Sequence, residues 1–370
     1  MKITCLKQEL NNALAIVSKA LASKPQVPIL SGVYLKTEED KLTIEATNYE
    51  LGIIAKIPVD IEEPGETVLP GRYLQEFTRR LPGEQVSLTS DSAQNTMQIQ
   101  SDATTYNLRT MDPAEYPVIR PLDSTLSFTI KDNILRTLIK KTVFSCATDE
   151  SRPVFTGVYL NIEDNVLTMA ATNTHRLAVR KQTFDQSIGN IKLIIPAKAL
   201  SELQHTLTSN VPSDVKVTCS LNQISFAFEN LYLTSRLIEG AFPDYRRVIP
   251  QKQDTKVTLQ TADFNAAMDR VSLISRMNDY NVVKLSFHEN QLCISSDNPE
   301  IGHAEETIGA QLEGPDIDIA FNATYLVDSL KAIESEECVL SLRQPLNPVK
   351  ITEPDDPDFT YVVTPVRVQH

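Results

Sequence analysis

The chain has no tryptophan and no apolar run approaching the roughly 20 residues that a membrane helix needs. Its opening stretch, MKITCLKQELNN, lacks the apolar core of a signal peptide. Cysteine is scarce. Cys5, Cys146, Cys219, Cys293 and Cys338 are scattered, odd in number and without CxxC spacing. That usage fits a reducing cytoplasm, with the thiols acting as small apolar side chains. The 11 glycines never occur as GxG, so a dinucleotide-binding fingerprint is excluded. A P-loop, a GxSxG elbow, an HExxH pair and an EF-hand loop are also missing. The five histidines (His175, His205, His288, His303, His370) show no metal-ligand spacing. The acidic cluster EPDDPD (353–358) carries two prolines and reads as a solvated loop, not a metal site. No cofactor and no metal are expected.

What is present begins with length and charge. At 370 residues the chain exceeds one ordinary core and calls for two or three domains. With 35 basic and 48 acidic side chains the net charge is −13. Bulk charge therefore argues against a protein that coats itself in nucleic acid, but leaves room for a local basic surface.

A repeat organises the rest. GVYLKTEEDKLTIEATN starts at Gly32 and GVYLNIEDNVLTMAATN at Gly157; a diverged copy, VVKLSFHENQLCISSDN, starts at Val282, each 125 residues after the last. Each copy is an apolar alternation of period two, a polar turn and a second alternation, which predicts a β-hairpin. Pro70, Pro196 and Asn322 lie 126 residues apart, and each opens an amphipathic segment. Leu74, Phe77 and Leu81, then Leu200, Leu203 and Leu207, then Leu326, Leu330 and Ile333 share helix faces. Pro70 and Pro196 suit a helix start and Asn322 an N-cap. Earlier in each unit a strand near Ile3, Phe128 and Val257 leads into a longer helix. Its apolar positions are Leu6, Leu10, Leu14, Val17 and Leu21 in the first copy, and Ile134, Leu135, Leu138, Ile139 and Val143 in the second.

Three landmarks in one order predict three α+β domains, 1–120, 121–250 and 251–370, divided by the Pro-bearing linkers MDPAEYPVIRP and FPDYRRVIP. Units related by a fixed rotation close into a ring or run into a filament. The six predicted helical segments (6–24, 70–80, 131–147, 196–209, 261–277, 322–333) hold 14 Lys or Arg against 7 Asp or Glu, a net +7 that leaves −20 elsewhere. On charge alone two readings stand: the helices solubilise themselves with Lys and Arg, or they form a surface that attracts phosphates without reading sequence.

The repeat, together with ATNTHRLAV (171–179), FPDYRRVIP (242–250) and the ending YVVTPVRV (361–368), resembles the bacterial sliding-clamp family, the β subunits of DNA polymerase III. The resemblance covers the whole chain. It implies three domains of the DNA-clamp fold, helices lining the inside of a ring, antiparallel sheets outside, and a head-to-tail homodimer. It implies a non-catalytic protein that encircles duplex DNA and tethers the replicative polymerase. A clamp loader would open the ring, and repair polymerases and other replication proteins would bind through short peptides. The peptide pocket it implies is walled by Phe155, Thr172, His175, Arg176, Leu177, Pro243, Arg247, Val248, Leu346, Pro348, Val362, Val363, Thr364, Pro365, Val366 and Arg367, an apolar floor with Arg and His donors. Many relatives have Gly where this chain has Thr174, and Met at Thr364 and Val366. DNA contacts carried over are Lys24, Arg72 and Lys198, to which charge alone adds Arg79, Arg80, Arg136, Lys140 and Lys141.

Two other readings compete: a ring-shaped protein scaffold that does not encircle DNA, and an enzyme centred on His175 and Arg176. The basic helices favour the clamp over the first. No adjacent nucleophile supports the second.

Overall fold

The computed structural model describes residues 1–22, 24–124, 126–207, 211–275 and 281–367. The first third contains β1 (Lys2–Leu6), α1 (Lys7–Val17), β2 (Gly32–Glu38), β3 (Lys41–Thr47), β4 (Leu51–Pro58), β5 (Asp60–Glu63), β6 (Glu66–Pro70), α2 (Gly71–Arg80), β7 (Gln85–Asp91), β8 (Thr96–Ser101) and β9 (Thr104–Arg109). The middle third contains β10 (Leu126–Lys131), α3 (Asp132–Lys140), β11 (Gly157–Asp164), β12 (Val166–Thr172), β13 (Arg176–Thr183), β14 (Gly189–Pro196), α4 (Ala197–Thr206), β15 (Asp214–Cys219), β16 (Gln223–Phe228) and β17 (Leu231–Arg236). The last third contains β18 (Thr255–Gln260), α5 (Thr261–Ser275), β19 (Val282–His288), β20 (Gln291–Asn298), β21 (Gly302–Gly309), β22 (Gln311–Glu313), β23 (Ile317–Asn322), α6 (Ala323–Ala332), β24 (Glu337–Leu342), β25 (Val349–Glu353) and β26 (Asp356–Val363). This is an α+β fold, and among the described residues no helix is long and apolar enough to cross a membrane.

The three predicted hairpins form as β2–β3, β11–β12 and β19–β20, with Leu35 facing Ile44, Leu160 facing Met169 and Leu285 facing Ile294. Their turns use polar residues in the left-handed region: Glu39 (φ 53°), Asp164 (φ 58°), and Glu289 with Asn290 (φ 50° and 61°). Asn322 caps α6 by accepting from Thr324 N at 3.0 Å, satisfying one orphan amide of the first turn. Pro70 and Pro196 end strands, and α2 and α4 start one residue later.

The longer helices are shorter than their apolar spacing predicts. Leu6 ends β1 and is 53% exposed, whereas Leu10, Leu14 and Val17 are buried. Beyond Val17 the chain tightens into a 3₁₀ turn, Ser18–Ala20. Helix α3 stops at Lys140, where Thr142 Oγ1 donates to the carbonyl of Leu138 at 2.7 Å. The predicted segment to 147 becomes a turn followed by a 3₁₀ turn at Val143–Ser145.

The compact units do not coincide with the repeats. One comprises Met1–Asn133 and Glu202–Leu237, the other Ile134–Ser201 and Ile238–His370. The first holds a sheet of order β5-β1-β7-β8-β9 and an eight-stranded sheet, β10-β15-β16-β17-β4-β3-β2-β6. The second holds a nine-stranded sheet, β14-β11-β12-β13-β26-β25-β24-β18-β22, and a four-stranded one, β21-β20-β19-β23. The physical cause lies in the edge strands. A lone repeat would leave β4, β17, β13 and β26 with unpaired amides and carbonyls. Instead β17 pairs with β4, and β13 with β26, through regular antiparallel ladders.

The linkers are docked by aromatic stacking. Tyr116 stacks on Tyr34 at 5.3 Å in the first unit, and Phe242 on Tyr159 at 4.9 Å in the second. Tyr116 OH also donates to the carbonyl of Glu45, and Ile119 N to the Glu45 carboxylate. Burial is the main cause that raises the Glu45 pKa.

Candidate peptide groove and basic residues

A groove of about 280 Å³ opens in the second unit where β13 meets β26. Its floor follows from the strand register. Leu177 faces Val362 across the ladder, and both pack with Ala170, Val179 and Tyr245 over Tyr159, Phe242 and Ile249. Phe155, Pro243, Val248 and Pro348 complete an apolar wall, and Thr172, Thr174, His175, Arg176, Asp244 and Thr364 supply the polar rim. Apolar walls with a few placed polar groups suit anchoring of a short peptide. A polar cleft of about 440 Å³ adjoins the groove. It shares Phe155, Thr174 and His175 with the groove and is otherwise lined by Ala147, Thr148, Asp149, Ser151, Arg152, Asn173 and Tyr325.

Ten of the sixteen expected wall residues line this groove: Phe155, Thr172, His175, Arg176, Leu177, Pro243, Val248, Pro348, Val362 and Thr364. Six do not. Val363 is fully buried, because strand alternation turns it to the face opposite Val362 and into the core with Phe359 and Tyr361. Leu346 is 54% exposed. Arg247 is held outside by Asp244, with Nε 3.0 Å from Oδ2. Pro365, Val366 and Arg367 run on past the groove, and Val366 N donates to the carbonyl of Ala320. Asp244 and Tyr245 escaped the sequence reading, although both belong to the FPDYRRVIP motif that flagged their neighbours.

Arg176 is not an open donor. Its Nη1 lies 2.6 Å from Asp328 Oδ2, its Nη2 donates to the carbonyl of Phe144, and its guanidinium sits 4.7 Å from the Tyr325 ring centre. The charge that the sequence assigned to peptide anchoring is spent on holding β13 against α6. His175 is exposed and lies flat beside Tyr325, while its carbonyl accepts from both Thr364 N (2.9 Å) and Thr364 Oγ1 (3.0 Å). Among the described residues, no group of three or more His, Cys, Asp or Glu is placed to hold a metal.

The candidate DNA-contact residues divide sharply. Lys24, Arg72, Arg136 and Lys198 are exposed. Arg79 and Arg80 share Glu76, at 3.1 and 3.0 Å, but stay exposed. Lys140 reaches Glu334 at 2.6 Å. Lys141 is a correction: its side chain is 2% exposed, 2.7 Å from both Glu353 and Asp356. It is the partner of the EPDDPD cluster, which is likewise not a wholly solvated loop, since the Glu353 side chain is 1% exposed. A buried ammonium holding two carboxylates cannot reach a phosphate. The charge split also narrows. Within the observed α-helices stand nine Lys or Arg against seven Asp or Glu, a net +2. The other five cations of the predicted segments are Lys19, Lys24, Lys131, Lys141 and Arg276. The first four lie outside the α-helices, and Arg276 lies outside the described residues.

Comparison with known proteins agrees along the whole chain. Residues 1–120, 129–244 and 246–367 match the N-terminal, central and C-terminal domain families of the DNA polymerase III beta subunit. A beta sliding clamp from Staphylococcus epidermidis is 34% identical over 376 residues, covering 99% of each chain. One from Staphylococcus aureus is 33% identical over 97% of this chain and 96% of its own. The crystal structure of the Bacillus subtilis DNA polymerase sliding clamp superposes with a TM-score of 0.93 at 33% identity, covering 100% of both chains. That of a Pseudomonas aeruginosa sliding clamp bound to griselimycin gives 0.92 at 28% identity, again covering both chains fully. With every third of the chain matched in order, and the fold reproduced over its full length, the chain belongs to the DNA polymerase III beta subunit family.

Proposed function

We propose that two copies of this chain pair head to tail into a closed ring around duplex DNA and slide along it. The ring holds the replicative polymerase on its template without doing chemistry itself. The observation that carries this reading is a sheet junction that occurs twice and has one matching pair of edges left over. Ala46, Ala171 and Ser296 lie 125 residues apart and face Ile53, Ala178 and Ala304 in their hairpins. Across the junctions Ile53 faces Leu233, and Ala178 faces Tyr361. Leu233 lies 127 residues after Tyr106, and the two occupy equivalent places opposite Phe226 and Ile99. Strands β21 and β9 are sheet edges. The same rule sets Ala304 opposite Tyr106 of a second copy, and His303 opposite Asn107.

Exposed apolar groups flank both edges. Phe77 stacks on Tyr106 at 4.3 Å, and Tyr73 beside it is 63% exposed. Leu273 on α5, a helix tied to β21 by the Arg270–Glu306 pair, is 60% exposed. These are patches that a partner's sheet edge would cover. A two-fold head-to-tail arrangement of such edges closes without leaving a free one.

Lys24, Arg72, Arg79, Arg80, Arg136, Lys140 and Lys198 supply the sequence-blind phosphate contacts, weak enough to permit sliding. The groove takes short, partly apolar peptides of the polymerase, the clamp loader and repair polymerases, and accommodates griselimycin. The place of action is the cytoplasm, and the domain limits are 1–120, 121–250 and 251–370. The test is loading onto nicked circular DNA followed by linearisation. A clamp runs off the cut ends. Retention after cutting would exclude encirclement and leave the scaffold reading.

A further inference from the structure

The leading helix of each repeat starts at Lys7, Asp132 or Thr261. The amide of that residue donates to the carbonyl of Glu84, Ser213 or Glu336, in the same order. The backbone is alike three times; the side chains are not. Lys7 Nζ donates to the carbonyl of Leu81, just past α2, at 2.8 Å. Asp132 Oδ1 accepts from Asn133 N and Ser213 N, at 2.7 and 3.0 Å. Thr261 makes no such bond, and a cavity of about 780 Å³ opens between the start of α5 and the end of α6. Ile333, the counterpart of Leu81, lines it together with Asn265, Lys331, Glu334 and Glu336.

Two polar atoms of the wall are unanswered. Among the described residues neither Thr261 Oγ1 nor Asn265 Oδ1 has a hydrogen-bond partner, although both atoms are buried and Thr261 is only 9% exposed. The polar group beside Thr261 is the Cys338 thiol, a weak one. Buried polar atoms normally have partners, so each exception asks for an explanation. The end of α6 adds carbonyls without intrahelical partners and the negative end of its dipole. Glu334 is held by Lys140 at 2.6 Å, which leaves Glu336 to balance Lys331. The loop is fixed in place, because Glu353 Oε2 accepts from Glu334 N and Ser335 N. The unmet groups are thus mainly acceptors, and they call for a guest that donates.

We propose that this cavity binds a primary alkylammonium group, seated as the Lys7 ammonium is seated in the first repeat. The guest supplies what the third repeat lacks. It donates to the carbonyl of Ile333 and to the oxygens of Thr261 and Asn265, each of which a rotation about one side-chain bond presents to the cavity. An ammonium has three donors and no acceptor, which matches this wall. Its alkyl stem lies along Leu330 and Ile333. The source of the group is a free amine or the lysine side chain of a partner protein.

The test is methyl NMR of the full chain, reading Leu330 and Ile333. The probes are Nα-acetyl-lysine methylamide, for a protein lysine, and 1,4-diaminobutane, for a free amine. The doubly acetylated lysine methylamide is the uncharged control. Wild type should show saturable shifts with at least one amine, the tighter of the two naming the source, and none with the control. Thr261→Lys places an ammonium in the cavity from within, so it should abolish binding and raise the melting temperature. Asn265→Leu should weaken binding about tenfold, the worth of one charge-assisted hydrogen bond, with little change in the melt. No shift with either amine, or equal shifts with the control, overturns the site. So does wild-type affinity in a folded Thr261→Lys variant. Should that variant not fold, unchanged affinity in Asn265→Leu overturns it instead.

Discussion

Lys141 Nζ lies 2.7 Å from Glu353 Oε1, and both side chains are at most 2% exposed. Around this pair the structure gathers four segments. Asp356 Oδ2 bridges Lys141 and Arg180 Nε, at 2.7 and 3.0 Å. Glu353 Oε2 accepts from Glu334 N, Ser335 N and Ser335 Oγ. The Lys141 ammonium also lies 5.1 Å from the Phe359 ring centre. Removing one partner of a buried pair strands the other charge, which costs about 3–5 kcal/mol. Lys141→Met should therefore lower the melting temperature clearly while leaving DNA affinity and its salt dependence untouched. Thermal melts and a salt titration of DNA binding check both halves.

The repeated junction fixes the register of the proposed dimer edge. Directly opposed residues on antiparallel strands lie about 4.5–5.5 Å apart at Cα, within disulfide reach. The double variant His303→Cys with Asn107→Cys is expected to give a dimer on a non-reducing gel after oxidation. Shifting one partner, with Asn107 restored and Leu108→Cys in its place, is expected to give little. Strong cross-linking by the shifted pair alone would contradict the register.

Phosphate contacts should be counted by salt dependence. Each neutralised phosphate contributes about 0.9 to the slope of log K against log salt. Lys24→Glu, Arg72→Glu, Arg136→Glu and Lys198→Glu should each flatten that slope, since all four residues are exposed. Electrophoretic mobility at several salt concentrations measures it. A slope unchanged in all four variants would remove the assigned DNA surface.

The groove separates affinity from stability. Val248 is 53% exposed on its wall, whereas Val363, next to the groove in sequence, is fully buried. Val248→Asp should cost at least about tenfold in peptide affinity with little change in melting temperature, because it disrupts only the apolar wall. Val363→Asp should unfold the second unit, since a carboxylate buried there has no partner. Truncation before residue 362 is a poor test of the groove, because it removes paired residues of β26.

Two histidines on the four-stranded sheet predict a pH dependence. His288 has its Nε2 2.9 Å from Asp318 and its Nδ1 3.1 Å from Asp316, and His303 has its Nδ1 2.7 Å from Asp297. Hydrogen bonds to these carboxylates raise both pKa values above the usual imidazole range. A raised folded-state pKa gives stability that is fully present below the unfolded value of about 6.5 and is lost as pH rises through the folded value. Melting temperature at low salt should therefore decline as pH rises above about 6.5 and through the raised folded-state values, and less steeply in the variant His288→Asn with His303→Asn. Both sites are exposed, so added salt should also weaken the effect.

The sequence by itself determined the three-fold repeat, the hairpins and the helix faces. These are local matters, in which periodicity names the buried face and polar turn residues mark the reversal. It also carried the family, because ATNTHRLAV and FPDYRRVIP sit at fixed places in that repeat. Only the tertiary structure decided where charges go. A lysine one residue past α3 reads like its exposed neighbours until the β25–β26 hairpin brings two carboxylates to it. Arg176 reads as a ligand donor until Asp328 and Tyr325 enclose it. Val363 reads as pocket wall until the pairing of β13 with β26 fixes which side of the strand faces the groove. Pattern along the chain sets which residues are buried, but the partner of a buried charge comes from a segment far away in sequence, and only packing chooses it.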